Sequence, residues 1–258
     1  MRSKVLITIL TCQRPRYLSK TLQALKEHVF ESELCRVKIF INGEDPATRA
    51  VVNQYRNLFE EVLTSPTNLG QAPALNLLWS NPDADWILHV EDDMVATRGN
   101  WLDPALRFLA RYPRIGLLRI YPFWEIHHIS RQNLITRKKI EFYSPELIGE
   151  ENFSRMIEPA HFAFIPSLIR SEALSSFLPL SANSERDQAE NEAQRGFGKA
   201  GWETAQIHNG PFRHIGRRSV FGGWGVGFGL HPTTRVGKIR LRLHRKAVKI
   251  AKRILGRA

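Results

Sequence analysis

Four short apolar runs rich in β-branched residues, at 5–10, 36–41, 61–64 and 85–90, alternate with stretches of helical spacing. A run that is apolar throughout must be covered on both faces, and strands that alternate with helices run parallel, because each crossover returns the chain to the same end of the sheet. The spacing predicts helices over 17–28, 46–59, 72–80 and 101–112. The expected fold class is therefore α/β, a mixed, mainly parallel sheet with helices on both faces. In such sheets ligands bind at the carboxyl ends of the strands. Three polar groups fall at that edge: the turn 11–16, Asn42 before Gly43, and the carboxylates Glu91, Asp92 and Asp93.

Beyond residue 112 the pattern loosens. Residues 115–121 and 161–165 read as strands and 171–177 as a helix, with a basic stretch at 137–139 between them. No internal repeat or long linker divides the chain, so one catalytic-sized domain over 1–233 is expected, followed by a tail over 234–258. The two cysteines, Cys12 and Cys35, make neither a disulfide framework nor a four-sulfur zinc site, which points to a reducing compartment. No run reaches the ~20 apolar residues of a membrane span, and residues 1–4 lead into the first strand without a signal-peptide pattern. A cytoplasmic location is the expectation.

The charge is concentrated. Ten of the 37 basic residues lie at 235–258 with no acidic residue among them, so the remaining 27 nearly balance the 25 acidic ones. Within the tail Ile239, Leu243, Ala247, Ile250, Ala251 and Ile254 recur at helical spacing among Lys and Arg. That pattern predicts a basic amphipathic C-terminal helix suited to an anionic membrane surface, with a helix packed on the domain as the alternative. Nucleic acid is a poor fit, since the tail offers no aromatic ring for base stacking.

Three successive carboxylates at the end of an apolar strand repel one another unless positive charge lies among them. One or two carboxylates together with diphosphate oxygens is the usual way Mg²⁺ or Mn²⁺ is held. Strand alternation would put Glu91 and Asp93 on one face and Asp92 on the other. The other reading is an acidic loop capping the next helix.

The order of motifs narrows the choice. Thr11-Cys12-Gln13-Arg14-Pro15 with Leu18 follows the first strand, then come NLGQAPALN at 68–76, VEDD at 90–93 and Trp101-Leu102. Over roughly the first 120 residues this resembles the family-two glycosyltransferases of the GT-A (nucleotide-diphospho-sugar transferase) fold. The resemblance implies a nucleotide-sugar donor, a divalent cation (Mn²⁺ or Mg²⁺) and transfer to a hydroxyl acceptor with inversion. It puts Thr11 and Arg14 at the nucleotide, with Asn42, Asn68 and Gly70 beside them. It puts Asp93 on the metal and Glu91 or Asp92 toward the donor ribose or sugar. Two positions depart from the family: Asn42 stands where an Asp is usual, and Glu91 replaces the usual first Asp of the acidic motif.

Sugar transfer also needs a base for the acceptor hydroxyl. The family places an acidic pair about a dozen residues before a small-residue turn. Here Ala200-Gly201-Trp202 is preceded by Glu185, Asp187, Glu190 and Glu192. The register favours Glu190, with Asp187 and Glu185 as rivals and a solvated helix face as the alternative. His214, thirteen residues past Gly201, falls where related enzymes carry a histidine that reaches the metal; His161 and His208 are weaker candidates. A neutral imidazole suits Mn²⁺ better than Mg²⁺. The stretch 222–229, GGWGVGFG, reads as a lid with two aromatic rings or as a connector to the tail. A glycan or lipid-linked glycan acceptor would suit a basic tail that holds the enzyme on the inner face of a membrane. The rival functions are a nucleotidyltransferase and a non-catalytic glycan- or nucleic-acid-binding protein on the same fold.

Overall fold

The computed structural model describes residues 3–29, 35–121, 142–157, 162, 164–181 and 186–216. Strands β1 (Ser3–Thr11), β2 (Cys35–Asn42), β3 (Glu61–Ser65) and β4 (Ala84–Glu91) pair in parallel, with helices α1 (Pro15–His28), α2 (Pro46–Gln54) and α3 (Gln71–Leu78) between them. Short strand β5 (Met94–Ala96) and helix α4 (Leu102–Arg111) lead to β6 (Ile115–Arg119). A hairpin of β7 (Glu146–Ile148) and β8 (Glu151–Arg155), then β9 (Ser167–Arg170), helix α5 (Arg186–Lys199), β10 (Glu203–Ile207) and β11 (Phe212–His214) follow.

Nine strands form one sheet in the order β3-β2-β1-β4-β9-β6-β10-β8-β7, and β11 pairs with β5 in a small second sheet. The chain moves from β1 outward to β2 and β3, then returns to place β4 on the other side of β1. That reversal opens a crevice at the carboxyl end of β1, the standard ligand position in an open α/β sheet.

The alternation along β1 shows why both faces are apolar. Val5, Ile7 and Ile9 join Leu18, Leu22 and Leu25 of α1 and Phe108 of α4 in one core. On the opposite face Ile87, Leu117 and Ile169 pack with Leu75 of α3, with Trp79 just after that helix, and with Ala189, Ala193 and Phe197 of α5.

Local chemistry sets the helix starts. Pro15 and Pro46 occupy first-turn positions, where the missing N–H costs nothing. Asp45 caps α2 by accepting the Thr48 N–H at 2.8 Å. α3 begins after Gly70, whose φ of +85° only glycine adopts at little cost.

Three expectations change. The helix over 46–59 ends at Gln54 and continues as a single 3₁₀ turn, Arg56–Leu58. The 171–177 helix is a 3₁₀ turn, Ser171–Ser176. The strand expected at 161–165 begins later, at Ser167. Pro166 cannot donate to a ladder, and its carbonyl instead accepts Ile120 N–H at 3.2 Å. The tail over 234–258, the 222–229 stretch, residues 137–139, His161 and Glu185 lie outside the described residues.

Candidate active site

The carboxylates sit where β4 stops. The strand ends at Glu91, and Asp92 and Asp93 lie in a turn, so the alternation expected for the triplet does not extend through it. Glu91 faces α3, where Gln71 Nε2 donates to its Oε1 at 3.4 Å. Asp92 and Asp93 converge instead on Arg14: Nη1 donates to Asp92 Oδ1 at 3.0 Å, and Nη2 to Asp93 Oδ2. Both aspartates are only 4% exposed.

The first loop supplies the rest of the Asp92 shell. Thr11 Oγ1 donates to Asp92 Oδ2 at 2.9 Å and the Cys12 N–H reaches the same oxygen at 3.3 Å. Thr21, a polar residue within the apolar stripe of α1, donates to the Asp92 carbonyl at 2.8 Å. The loop turns through Gln13 at φ +50°, a left-handed conformation that costs a non-glycine residue of order 1 kcal/mol. Tyr17 lies under Arg14, its ring centre 4.7 Å from the guanidinium carbon.

His214 arrives from far along the chain. Antiparallel pairing of β11 with β5 sets it opposite Met94, so its Nε2 comes within 3.1 Å of Asp93 Oδ2. The Ile215 N–H donates to the Asp93 carbonyl at 2.8 Å, which fixes the same approach through the backbone.

These contacts set the electrostatics. Burial pushes Asp92 up to about 7, against the opposing charge of Arg14. Burial acts on Asp93 in the same direction, but the His214 hydrogen bond and the charges of His214 and Arg14 hold it below the usual carboxylate range. His214 is raised by its bond to Asp93, with burial opposing.

Asn42 and the 68–70 loop form a second group. Asn42 Nδ2 donates to Asn68 Oδ1 and to the Gly70 carbonyl, both at 3.0 Å, while its Oδ1 accepts the Leu69 N–H at 2.8 Å. The amide thus ties the end of β2 to the start of α3. Gly43, at φ +96°, lies so close that an added Cβ would stand 3.2 Å from Asn68 N.

The helix that carries Glu190, α5, packs on the sheet face opposite α1. Glu190 of α5 accepts the Phe164 N–H at 3.0 Å. Asp187 is in the same helix, with its side chain outside the described residues. Facing Glu190 is a residue the sequence reading missed, Arg119, the last residue of the otherwise apolar β6. It is 5% exposed, and its Nε and Nη1 have no partner among the described residues. Burial lowers Arg119 to about 10, with Glu190 opposing the shift, so it stays cationic at neutral pH.

Arg119 belongs to a buried polar rank. Thr8, His89, Ser167, Arg119, Gln206 and Ser154 stand at successive register positions across six strands. A charge closing an apolar strand and a threonine inside an apolar helix stripe were the available sequence signals for Arg119 and Thr21.

The two side chains here that could serve a divalent cation are Asp93 and His214. Ligands bonded at ~2.1 Å to adjacent corners of an octahedron are about 3 Å apart, and Asp93 Oδ2 and His214 Nε2 are 3.1 Å apart. Among the described residues no three or more His, Cys, Asp or Glu converge on one point. The protein would therefore supply a carboxylate and an imidazole, leaving the other corners to phosphate oxygens and water.

Among solved structures the chain is similar to S. aureus TarS 1–349, at 12% identity and a TM-score of 0.57 over 81% of this chain and 59% of that one. The complex of TarS 1–349 with UDP-GlcNAc gives 15% identity and a TM-score of 0.59 over 89% and 62%. The mannosyltransferase PcManGT from Pyrobaculum calidifontis, in complex with GDP-Man and Mn2+, gives 15% identity and a TM-score of 0.54 over 79% and 54%. The chain thus spans less than two thirds of each of these proteins, and at such identities the likeness shows the fold, GT-A. No curated protein matches it in sequence. The model of the family described as Glycosyl transferase family 2 matches residues 6–176, about two thirds of the chain, including Arg14, Asp92 and Asp93, and the chain belongs to that family.

Proposed function

We propose that this protein transfers a sugar from a nucleotide-diphosphate donor to a hydroxyl of a glycan or lipid-linked glycan, with inversion and with help from Mn²⁺ or Mg²⁺. The observation that carries the reading is the convergence of Arg14, Asp92, Asp93 and His214 at the carboxyl ends of β1 and β4, on the crevice where the strand order reverses. Neighbours on this fold were crystallised with UDP-GlcNAc and with GDP-Man and Mn2+, which supports a nucleotide-sugar donor.

In this reading Thr11, Asn42, Asn68 and Gly70 line the nucleotide side, and Glu91 and Asp92 face the ribose or sugar. Asp93 and His214 hold the cation, which when bound neutralises charge on the departing diphosphate. Glu190 takes the proton from the acceptor hydroxyl as its oxygen attacks the anomeric carbon and the carbon–oxygen bond to the diphosphate breaks. Asp187 and Glu185 are the alternative bases. The Phe164 N–H holds the Glu190 carboxyl in place, and the Arg119 guanidinium lies within electrostatic reach of it. The tail over 235–258 would contact an anionic membrane surface. Among the described residues no helix is long and apolar enough to cross a membrane.

A thermal-shift screen of nucleotide sugars with and without Mn²⁺ tests the donor class and the cation together, since a ligand at 100 times its Kd adds about 2.7 kcal/mol of stability. The expected result is stabilisation by one donor family that grows with Mn²⁺, and release of free nucleoside diphosphate on turnover. Pyrophosphate as product, or no shift with any donor, overturns the reading.

A further inference from the structure

We propose that Arg14 is a latch on the carboxylate pair: it bridges Asp92 and Asp93 until a divalent cation and a nucleotide diphosphate arrive together, and it then exchanges the Asp93 oxygen for phosphate. The inference rests on the cation reading of the site given above.

The geometry points to competition for one atom. Asp93 Oδ2 receives both Arg14 Nη2 and His214 Nε2. A cation bonded to that oxygen needs the space the guanidinium fills, and the two positive charges would repel at contact distance. Arginine cannot yield by losing its proton, since its guanidinium stays charged at any working pH. It has to move.

Its surroundings allow the movement. The Arg14 side chain is 17% exposed, whereas those of Asp92 and Asp93 are 5% and 6% exposed. It projects from the residue just before α1, where no side chain caps the helix, and its guanidinium lies over the Tyr17 ring. A forked guanidinium matches a phosphate as well as it matches a carboxylate pair. A diphosphate bound at the crevice therefore offers Arg14 a new partner at the moment it brings oxygens to the cation. Each ligand lowers the cost of admitting the other, and the coupling is reciprocal. The cation alone has to break the Asp93 half of the bridge with no phosphate to take its place.

The test is a titration of Mn²⁺ into the full chain, read by the paramagnetic resonance of free Mn²⁺, with no nucleotide and then with uridine or guanosine diphosphate. Wild type is expected to bind Mn²⁺ weakly alone and at least 100-fold more tightly with the diphosphate it accepts. Arg14→Gln is expected to bind Mn²⁺ alone at least tenfold more tightly than wild type. Arg14→Lys, whose single ammonium cannot bridge both carboxylates, is expected to fall between, and it serves if the glutamine variant loses its far-ultraviolet circular dichroism. Equal or weaker Mn²⁺ binding by both variants overturns the latch while leaving the cation site standing. Absence of Mn²⁺ binding by every form, with and without diphosphate, removes the cation reading and the latch with it.

Discussion

His214 Nε2 lies 3.1 Å from Asp93 Oδ2, although 121 residues separate the two in the chain. The pairing of β11 with β5 is what closes that distance. Two residue types with different donor atoms thus meet at one point of a largely buried crevice, and the roles assigned to them separate in experiment.

Asp93→Asn keeps the shape of the side chain and removes its charge. Metal-dependent turnover is expected to fall at least about 100-fold while the far-ultraviolet circular dichroism is kept, and the melting temperature should drop because Arg14 and His214 lose a charged partner. His214→Ala is expected to weaken Mn²⁺ binding, so that activity partly recovers at high Mn²⁺. Assays across a range of Mn²⁺ concentrations distinguish the two, and unchanged turnover in Asp93→Asn would remove the cation assignment.

The cation-free protein is expected to be more stable at pH 5.5 than at pH 8. Asp92, raised by burial from 3.8 to about 7, holds a proton in the folded state that the unfolded chain has lost, so stability falls as pH rises between those values. His214, raised by its bond to Asp93, acts in the same direction: its contribution is complete below 6.5 and is lost as pH rises through the folded value. Asp92→Asn should remove the Asp92 part of this slope, leaving a shallower pH dependence than wild type. Melting curves in a chelator across this range check the sign; a slope unaltered in the variant would refute it.

Arg119 and Glu190 are expected to act as one unit. Arg119→Met should lower kcat about tenfold or more with donor affinity unchanged, Arg119→Lys should recover part of the loss, and Glu190→Gln should cost about 100-fold or more. Combining Arg119→Met with Glu190→Gln should cost no more than Glu190→Gln alone. Strictly additive losses would mean that Arg119 acts elsewhere.

Two glycines of α5 should respond in opposite ways. A Cβ at Gly196 would stand 2.2 Å from the Ser176 carbonyl oxygen, whereas a Cβ at Gly198 would meet nothing within 4 Å. Gly196→Ala is expected to destabilise by about 2–3 kcal/mol and to disturb Glu190 on the same helix. Gly198→Ala should stabilise by about 0.5–1 kcal/mol through helix propensity. Urea unfolding of both variants decides whether α5 is held this closely against the 3₁₀ turn.

The chain alone was enough to determine the parallel half of the sheet and the acidic edge of β4. Apolar runs such as Val5–Ile9 admit only a strand covered on both faces, and Pro46 marks a helix start by its own backbone chemistry. Thr11, Arg14, Asp92 and Asp93 could be named for the same reason, since each sits beside a strand end that local patterning reveals. Tertiary structure decided the partnerships. That Asp92 and Asp93 share Arg14, that Thr21 reaches the Asp92 carbonyl, and that Arg119 faces Glu190 depend on a turn after β4 and on strands β6, β9 and β10 pairing across long separations. No local period encodes such contacts, because the free energy that selects them comes from burying side chains of distant segments together and appears only when the whole sheet has assembled.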